Sequence, residues 1–172
     1  MSVAHCLVHA SYLLLHFDLV NADSPIVQHL YTADTAPIVH GDRVYLMAGH
    51  DEDGSTNYDT RDWQLFSSSD MANWQNHGSP VSLETFPWAV QDAWAAQLVE
   101  RDGKFYFYAP VVGSGDYGGS IGVAVAENIT GPYVDAIGSP LIPQSEIDPT
   151  AFIDDDGQAY STGETPTYST LR

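Results

Sequence analysis

The chain has 172 residues and a mass of 18.7 kDa, the size of one ordinary domain. Five Lys+Arg against 23 Asp+Glu leave a net charge of −18 and a pI near 4.2, which argues against nucleic acid and anionic membrane as partners, because both need a basic footprint. With 44% hydrophobic, 12% aromatic and 16% charged residues the chain can build a core, and its four Trp and ten Tyr suit stacking on neutral, hydroxyl-rich ligands.

Residues 1–25 read as a leader, signal-like or disordered, ahead of a folded region over 26–172. Residues 11–20 (SYLLLHFDLV) are apolar but interrupted by His16 and Asp18, and the run is too short to span a bilayer. Met1 to Ala10 holds no Lys or Arg for a signal peptide's n-region, whereas Val20-Asn21-Ala22 offers the small residues of a cleavage site. Cys6 is the sole cysteine, so no intrachain disulfide forms and cysteine content does not assign the compartment.

From Ile26 onward the pattern is strand and turn, with no apolar period of 3.6 residues sustained over helical length. Short runs rich in Val, Ile, Tyr and Phe predict strands at Arg43 to Ala48, Trp63 to Ser67, Lys104 to Val112 and Ile121 to Ala126. Asp53-Gly54, Asp102-Gly103, Gly131-Pro132 and Asp156-Gly157 supply turn chemistry. An Asp-Gly pair between apolar runs marks a hairpin, because a type I′ turn needs positive φ at both central residues. The fold class is all-β.

Three segments repeat a turn followed by a strand: VHGDRVYLMA (39–48), VERDGKFYFYA (99–109) and IDDDGQAY (153–160). With Tyr45, Tyr106 and Tyr160 as equivalents, the spacings are 61 and 54 residues. SSDMANW (68–74) and AENITGPY (126–133) then recur downstream, placing Trp74 and Tyr133 29 and 27 residues after their tyrosines. Each unit has the size of a β-propeller blade of four strands. A β-sandwich with similar hairpins is the rival architecture.

The repeat also gathers chemistry. Asp34, Trp94 and Asp148 lie 11, 12 and 12 residues before their tyrosines, at the start of the first strand of each unit. First strands surround a propeller's axis, so these positions converge. Two carboxylates beside an indole suit sugar chemistry: one carboxylate activates water, the second tunes the field, and the aromatic packs on a sugar ring. Read alone, an Asp before a strand is more often a turn residue and a Trp in an apolar run is more often core. His50 and Asp51 open an acidic loop, His50-Asp51-Glu52-Asp53, expected to be solvated at the pocket rim and within reach of substrate.

From about Pro25 to Tyr160 the chain resembles the five-bladed propeller enzymes of glycoside hydrolase family 43. The resemblance rests on YTADTAPIVHGDRVYLMAGHDEDG (31–54), RDWQLFSSSDMANWQNHGSP (61–80), AWAAQLVERDGKFYFYAPV (93–111), IGVAVAENITGPYVDAIGSPLI (121–142) and IDPTAFIDDDGQAY (147–160). It implies an inverting glycosidase of the β-xylosidase or α-L-arabinofuranosidase type, secreted and monomeric, acting on arabinoxylan, xylan or arabinan. Ala33-Asp34-Thr35 matches the family's Ala-Asp-Pro motif and gives Asp34 the general base's role. Asp148, Pro149 and Phe152 match Asp-Pro-x-x-Phe, so Asp148 would raise the pKa of the general acid. Trp94 matches the Trp-Ala-Pro segment that lines the sugar pocket, with Ala96 at the proline's place. No cofactor is required; a structural calcium occurs in some relatives, but no ligand set here specifies it.

The chain departs from the family at Thr35, which replaces a proline, and after Tyr160, where Ser161-Thr162-Gly163-Glu164 stands for Tyr-Trp-Gly. The family's general acid is a Glu on a later blade, in a Glu-Gly-Pro-like context absent before Arg172, and Glu164 follows Asp148 too closely to fill that role. About two and a half of five blades are therefore expected, inactive by themselves; a catalytically dead propeller or a sugar-binding fragment is the alternative reading. Asp34-Thr35-Ala36 resembles an aspartic protease loop but has no second copy to share a proton. Asp154-Asp155-Asp156-Gly157 lacks the alternating acids of an EF-hand and reads as a hairpin turn.

Overall fold

The computed structural model describes residues 25–115, 118–143, 146–163 and 169–171, so residues 1–24 of the expected leader, and Glu164, lie outside the described residues. Three antiparallel sheets follow one another along the chain. The first holds β1 (Thr32–His40), β2 (Arg43–Asp51) and β3 (Thr60–Ser68), with the two-residue strands β4 (Gln75–Asn76) and β5 (Val81–Ser82) both on the outer edge of β3. In the second, β6 (Ala89–Gln91) and β7 (Gln97–Arg101) share one edge of β8 (Lys104–Gly113), followed by β9 (Gly118–Ala126) and β10 (Val134–Asp135). The third is β11 (Thr150–Ile153), β12 (Ala159–Thr162) and β13 (Ser169–Leu171). Each sheet is an up-and-down meander, as the repeat requires.

Turn chemistry explains the hairpins. Asp102 and Gly103 join β7 to β8 with φ of 53° and 74°, the positive pair a two-residue type I′ turn needs. Residues 154–158 close β11 on β12: the Asp154 N–H donates to Gln158 O (2.9 Å), while the Asp154 and Asp156 carboxylates accept backbone N–H groups of Asp155 and Gln158 (both 2.8 Å). The acidic run is thus spent on its own turn. Trp74 and Tyr133 occupy equivalent places immediately before β4 and β10, and each donates to a carbonyl just upstream, Met71 O (3.3 Å) and Ile129 O (3.0 Å).

Alternation along β8 stacks the sheets. Phe105, Phe107, Ala109 and Val111 point to one side, into a core shared with Met47, Trp63 and Leu65 of the first sheet. Tyr106 and Tyr108 point to the other, packing with Val123 against Ala151 and Ala159 of the third. A strand buried on both faces reads as an unbroken apolar run, which is why KFYFYAPVV shows no polar alternation. Trp63 meets Phe107 edge-to-face, with centroids 5.0 Å apart at 76°.

Candidate active site

The first strands of the three sheets adjoin, β7 lying against both β1 and β11. Where they begin, a shallow cavity of about 310 Å³ opens. Each sheet contributes a short run to it: Asp34 and Thr35 from the first, Ala95, Ala96 and Gln97 from the second, and Asp148, Pro149 and Thr150 from the third. The expected meeting of Asp34 and Asp148 at one cavity is therefore present.

Strand register defines which residues are equivalent. Tyr45, Tyr106 and Tyr160 pair with Ile38, Val99 and Phe152. Four residues before those partners stand Asp34, Ala95 and Asp148. Ala95 is thus the second sheet's counterpart of the two carboxylates, which corrects the assignment of Trp94 to that position. The spacing before Tyr106 is 11 residues, as in the first unit, and counting 12 as in the third selects the neighbour.

Local backbone aims both acids. The pairing of β1 with β2 slips between Ala33 and Ala36, so Asp34 and Thr35 form a bulge, a device that turns a side chain out of the ladder. Asp34 and Asp148 share a φ of 51°, the left-handed region that Asp tolerates better than most residues and that clusters at functional sites. Thr35 in place of a proline leaves Asp34 with the same φ that Asp148 has before Pro149. In the second sheet, residues 92–96 separate β6 from β7. The Ala93 N–H bridges to Thr60 O and Oγ1 (3.0 and 3.1 Å) and the Trp94 N–H to Pro110 O (3.2 Å). This detour carries Ala95 to Gln97 to the cavity.

Chemically, the cavity presents two exposed acidic residues beside neutral polar and methyl groups, and among the described residues no basic side chain lines it. It suits a neutral, hydroxyl-bearing ligand and the handling of a water proton.

Trp94, His50 and Asp51 are not brought to this cavity. The Trp94 carbonyl accepts the Trp63 indole N–H (2.9 Å), and its own indole N–H reaches out to Tyr58 O (3.4 Å). His50 follows Gly49, whose Cα faces the Ala93 carbonyl of the second sheet, so the imidazole lies on the opposite face of its strand. There its Nδ1 hydrogen-bonds with Asp62 Oδ1 (2.9 Å). Asp51 lines a separate cleft with Tyr31 and Tyr58. Gln97 and Thr150, which the motifs do not single out, do line the axial cavity, and the register of their strands is the signal that finds them.

The family model described as glycosyl hydrolases family 43 matches residues 22–169. Xylosidase/arabinosidase 43A of Humicola insolens is 32% identical over 149 residues, covering 80% of this chain and 44% of the relative. An arabinoxylan arabinofuranohydrolase of Bacillus subtilis is 30% identical, covering 82% of this chain and 32% of its own length. Among solved structures, a GH43 β-xylosidase/α-arabinofuranosidase from a compost metagenome, in complex with xylotriose, superposes with a TM-score of 0.72 at 34% identity, covering 80% of this chain and 44% of that one. The GH43_1 enzyme of Xanthomonas citri, also complexed with xylotriose, gives 0.71 at 33%, over 80% and 41%. The chain spans less than half the length of these relatives.

Proposed function

Because the chain belongs to glycoside hydrolase family 43, we propose that it carries part of the active site of an inverting glycosidase acting on pentose-containing plant polysaccharides such as arabinoxylan, xylan or arabinan. The observation that carries this reading is the pair of carboxylates, Asp34 and Asp148, placed by equivalent strand positions with equal φ at one axial cavity. Relatives named as xylosidases, arabinofuranohydrolases and an arabinanase support the substrate class.

In the proposed reaction Asp34 takes a proton from a water held on the face of the anomeric carbon opposite the leaving group. A carboxylate so placed removes the proton as the C–O bond to water forms, and inversion follows from attack on that face. Asp148, by like-charge repulsion, keeps the general acid protonated and orients the sugar. The acid that protonates the leaving oxygen is a glutamate in the family pattern, and no residue of this chain is placed in its role. Trp94, His50 and Asp51 act around the axial cavity rather than in it. Hydrolysis of this kind draws on carboxyl chemistry alone. Among the described residues no three His, Cys, Asp or Glu side chains come together to hold a metal ion.

The test is an active form of the protein carrying a complete propeller. Asp34→Asn is the informative variant, because Asn also tolerates positive φ and only the proton acceptor is lost. Turnover of an aryl pentoside is expected to fall by ~10²–10⁴-fold, and NMR of the parent reaction should show the inverted anomer first. An active variant, or a retained product, would overturn the assignment.

A further inference from the structure

The connection from β2 to β3 is more organised than a solvated loop needs to be. Its base is closed by the Glu52 N–H on Asp59 O (3.0 Å) and braced by the Ser55 N–H on Glu52 O (3.1 Å). Ser55 Oγ donates to Asn57 O (2.9 Å) and accepts the Asn57 N–H (3.2 Å). On one flank the Trp94 indole holds Tyr58 O, and on the other the Asp51 N–H holds Tyr31 O (3.1 Å). These bonds frame a cleft of about 570 Å³ lined by Tyr31, Tyr58, Asp51, Glu52, Ser55 and Asn57. That volume lies within the range of small-molecule sites.

The two tyrosines are the informative residues. Tyr31 is 68% exposed and Tyr58 84%, whereas rings such as Trp63, Phe86 and Phe107 are buried in the neighbouring core. A pair of rings left in water on braced backbone offers flat apolar faces beside polar groups, the surface that the C–H face of a sugar ring packs against. Carboxylates of Asp51 and Glu52 and the amide of Asn57 can take its hydroxyls. The same carboxylates repel an anionic sugar.

We infer that this cleft is an outer sugar subsite, holding a second, neutral pentose unit of the oligosaccharide whose end unit sits over Asp34 and Asp148. The inference rests on the axial reading and extends it. Tyr31 is three residues from Asp34, at most about 11 Å of extended chain, a span that neighbouring units of one oligosaccharide bridge. Trp94 links the two places directly, since it precedes Ala95 in the axial cavity and holds Tyr58 in the cleft.

The experiment titrates the 172-residue chain with xylose and with xylotetraose, followed by ¹⁵N NMR. Xylotetraose should move the Trp94 indole signal and the amides of residues 51–59 together with those of Ala95 to Gln97. The double variant Tyr31→Ala/Tyr58→Ala should weaken xylotetraose binding about tenfold, the scale expected when two rings no longer pack on a sugar, and leave xylose binding unchanged. Tyr58→Phe, which keeps the ring, should bind like the parent. Cleft signals that stay still, or a double variant that binds xylotetraose like the parent, overturn the inference; if Ala95 to Gln97 still respond to xylose, the axial reading stands. Cleft signals that move while Ala95 to Gln97 respond to no sugar overturn the axial reading and with it the pairing of subsites.

Discussion

Asp34 and Asp148 show how a residue's backbone sets its chemistry: Asp34 in a bulge of β1 and Asp148 just ahead of β11 both take a positive φ and line the axial cavity. A second residue-scale device lies in the core joint of the first sheet. Arg43 donates through Nε and Nη2 to the buried Ser67 Oγ (3.2 and 2.9 Å), which leaves the hydroxyl proton to donate to His77 Nε2 (2.8 Å). Burial and the adjacent Arg43 charge hold the His77 pKa below its usual 6.5. The native state therefore binds fewer protons here than the unfolded state, and the stability is present above pH 6.5 and lost as pH falls toward the depressed value. Denaturant midpoints should decline from pH 7 to 5 in the parent and decline less steeply in His77→Asn; equal slopes would show that His77 does not set this dependence. Asp34 and Asp148 were legible because both sit in short motifs, Ala33-Asp34-Thr35 and Asp148-Pro149. The correct partner, Ala95, was not, because its methyl carries no chemical signal while Trp94 beside it does.

At the scale of elements, β9 owes its glycine to a neighbour. A Cβ on Gly122 would come within 2.9 Å of Phe86 Cε1 and 3.0 Å of Trp88 Cζ2. Both rings are buried, Phe86 completely, so they have nowhere to retreat. Gly122→Ala should destabilise the fold by about 1–3 kcal/mol, the usual cost of overpacking; an unchanged denaturation midpoint would show that the rings yield. Strands with strong apolar patterns, β8 above all, were readable from sequence, and the hairpin at Asp102-Gly103 followed from its need for positive φ. The break between β6 and β7 was not readable. It depends on backbone bonds from Ala93 to Thr60, some thirty residues away, and no local pattern encodes a partner that distant. The two-residue strands β4, β5 and β10 are likewise shorter than any period.

Across the whole molecule, sheets are joined by packing far more than by charge. Phe107, fully buried between the first and second sheets, should cost about 3–5 kcal/mol when cut to Ala. The bridge from His40 Nδ1 to Glu100 Oε2 (2.8 Å) crosses the same joint at an exposed position, and Glu100→Ala should cost under about 1 kcal/mol. Urea denaturation of both variants checks the contrast, and comparable losses would contradict it. The stacked meanders explain how a sequence repeat becomes a site: equivalent first strands adjoin, so whatever the repeat places at their starts shares one cavity. Two carboxylates at those starts should then act on one and the same sugar. A crystal structure of the Asp34→Asn variant soaked with xylotriose decides whether they do. The expected result is a pentose ring over Ala95 to Gln97, within hydrogen-bonding distance of the side chains at both position 34 and Asp148. A sugar bound elsewhere, touching neither of those side chains, would contradict the shared site.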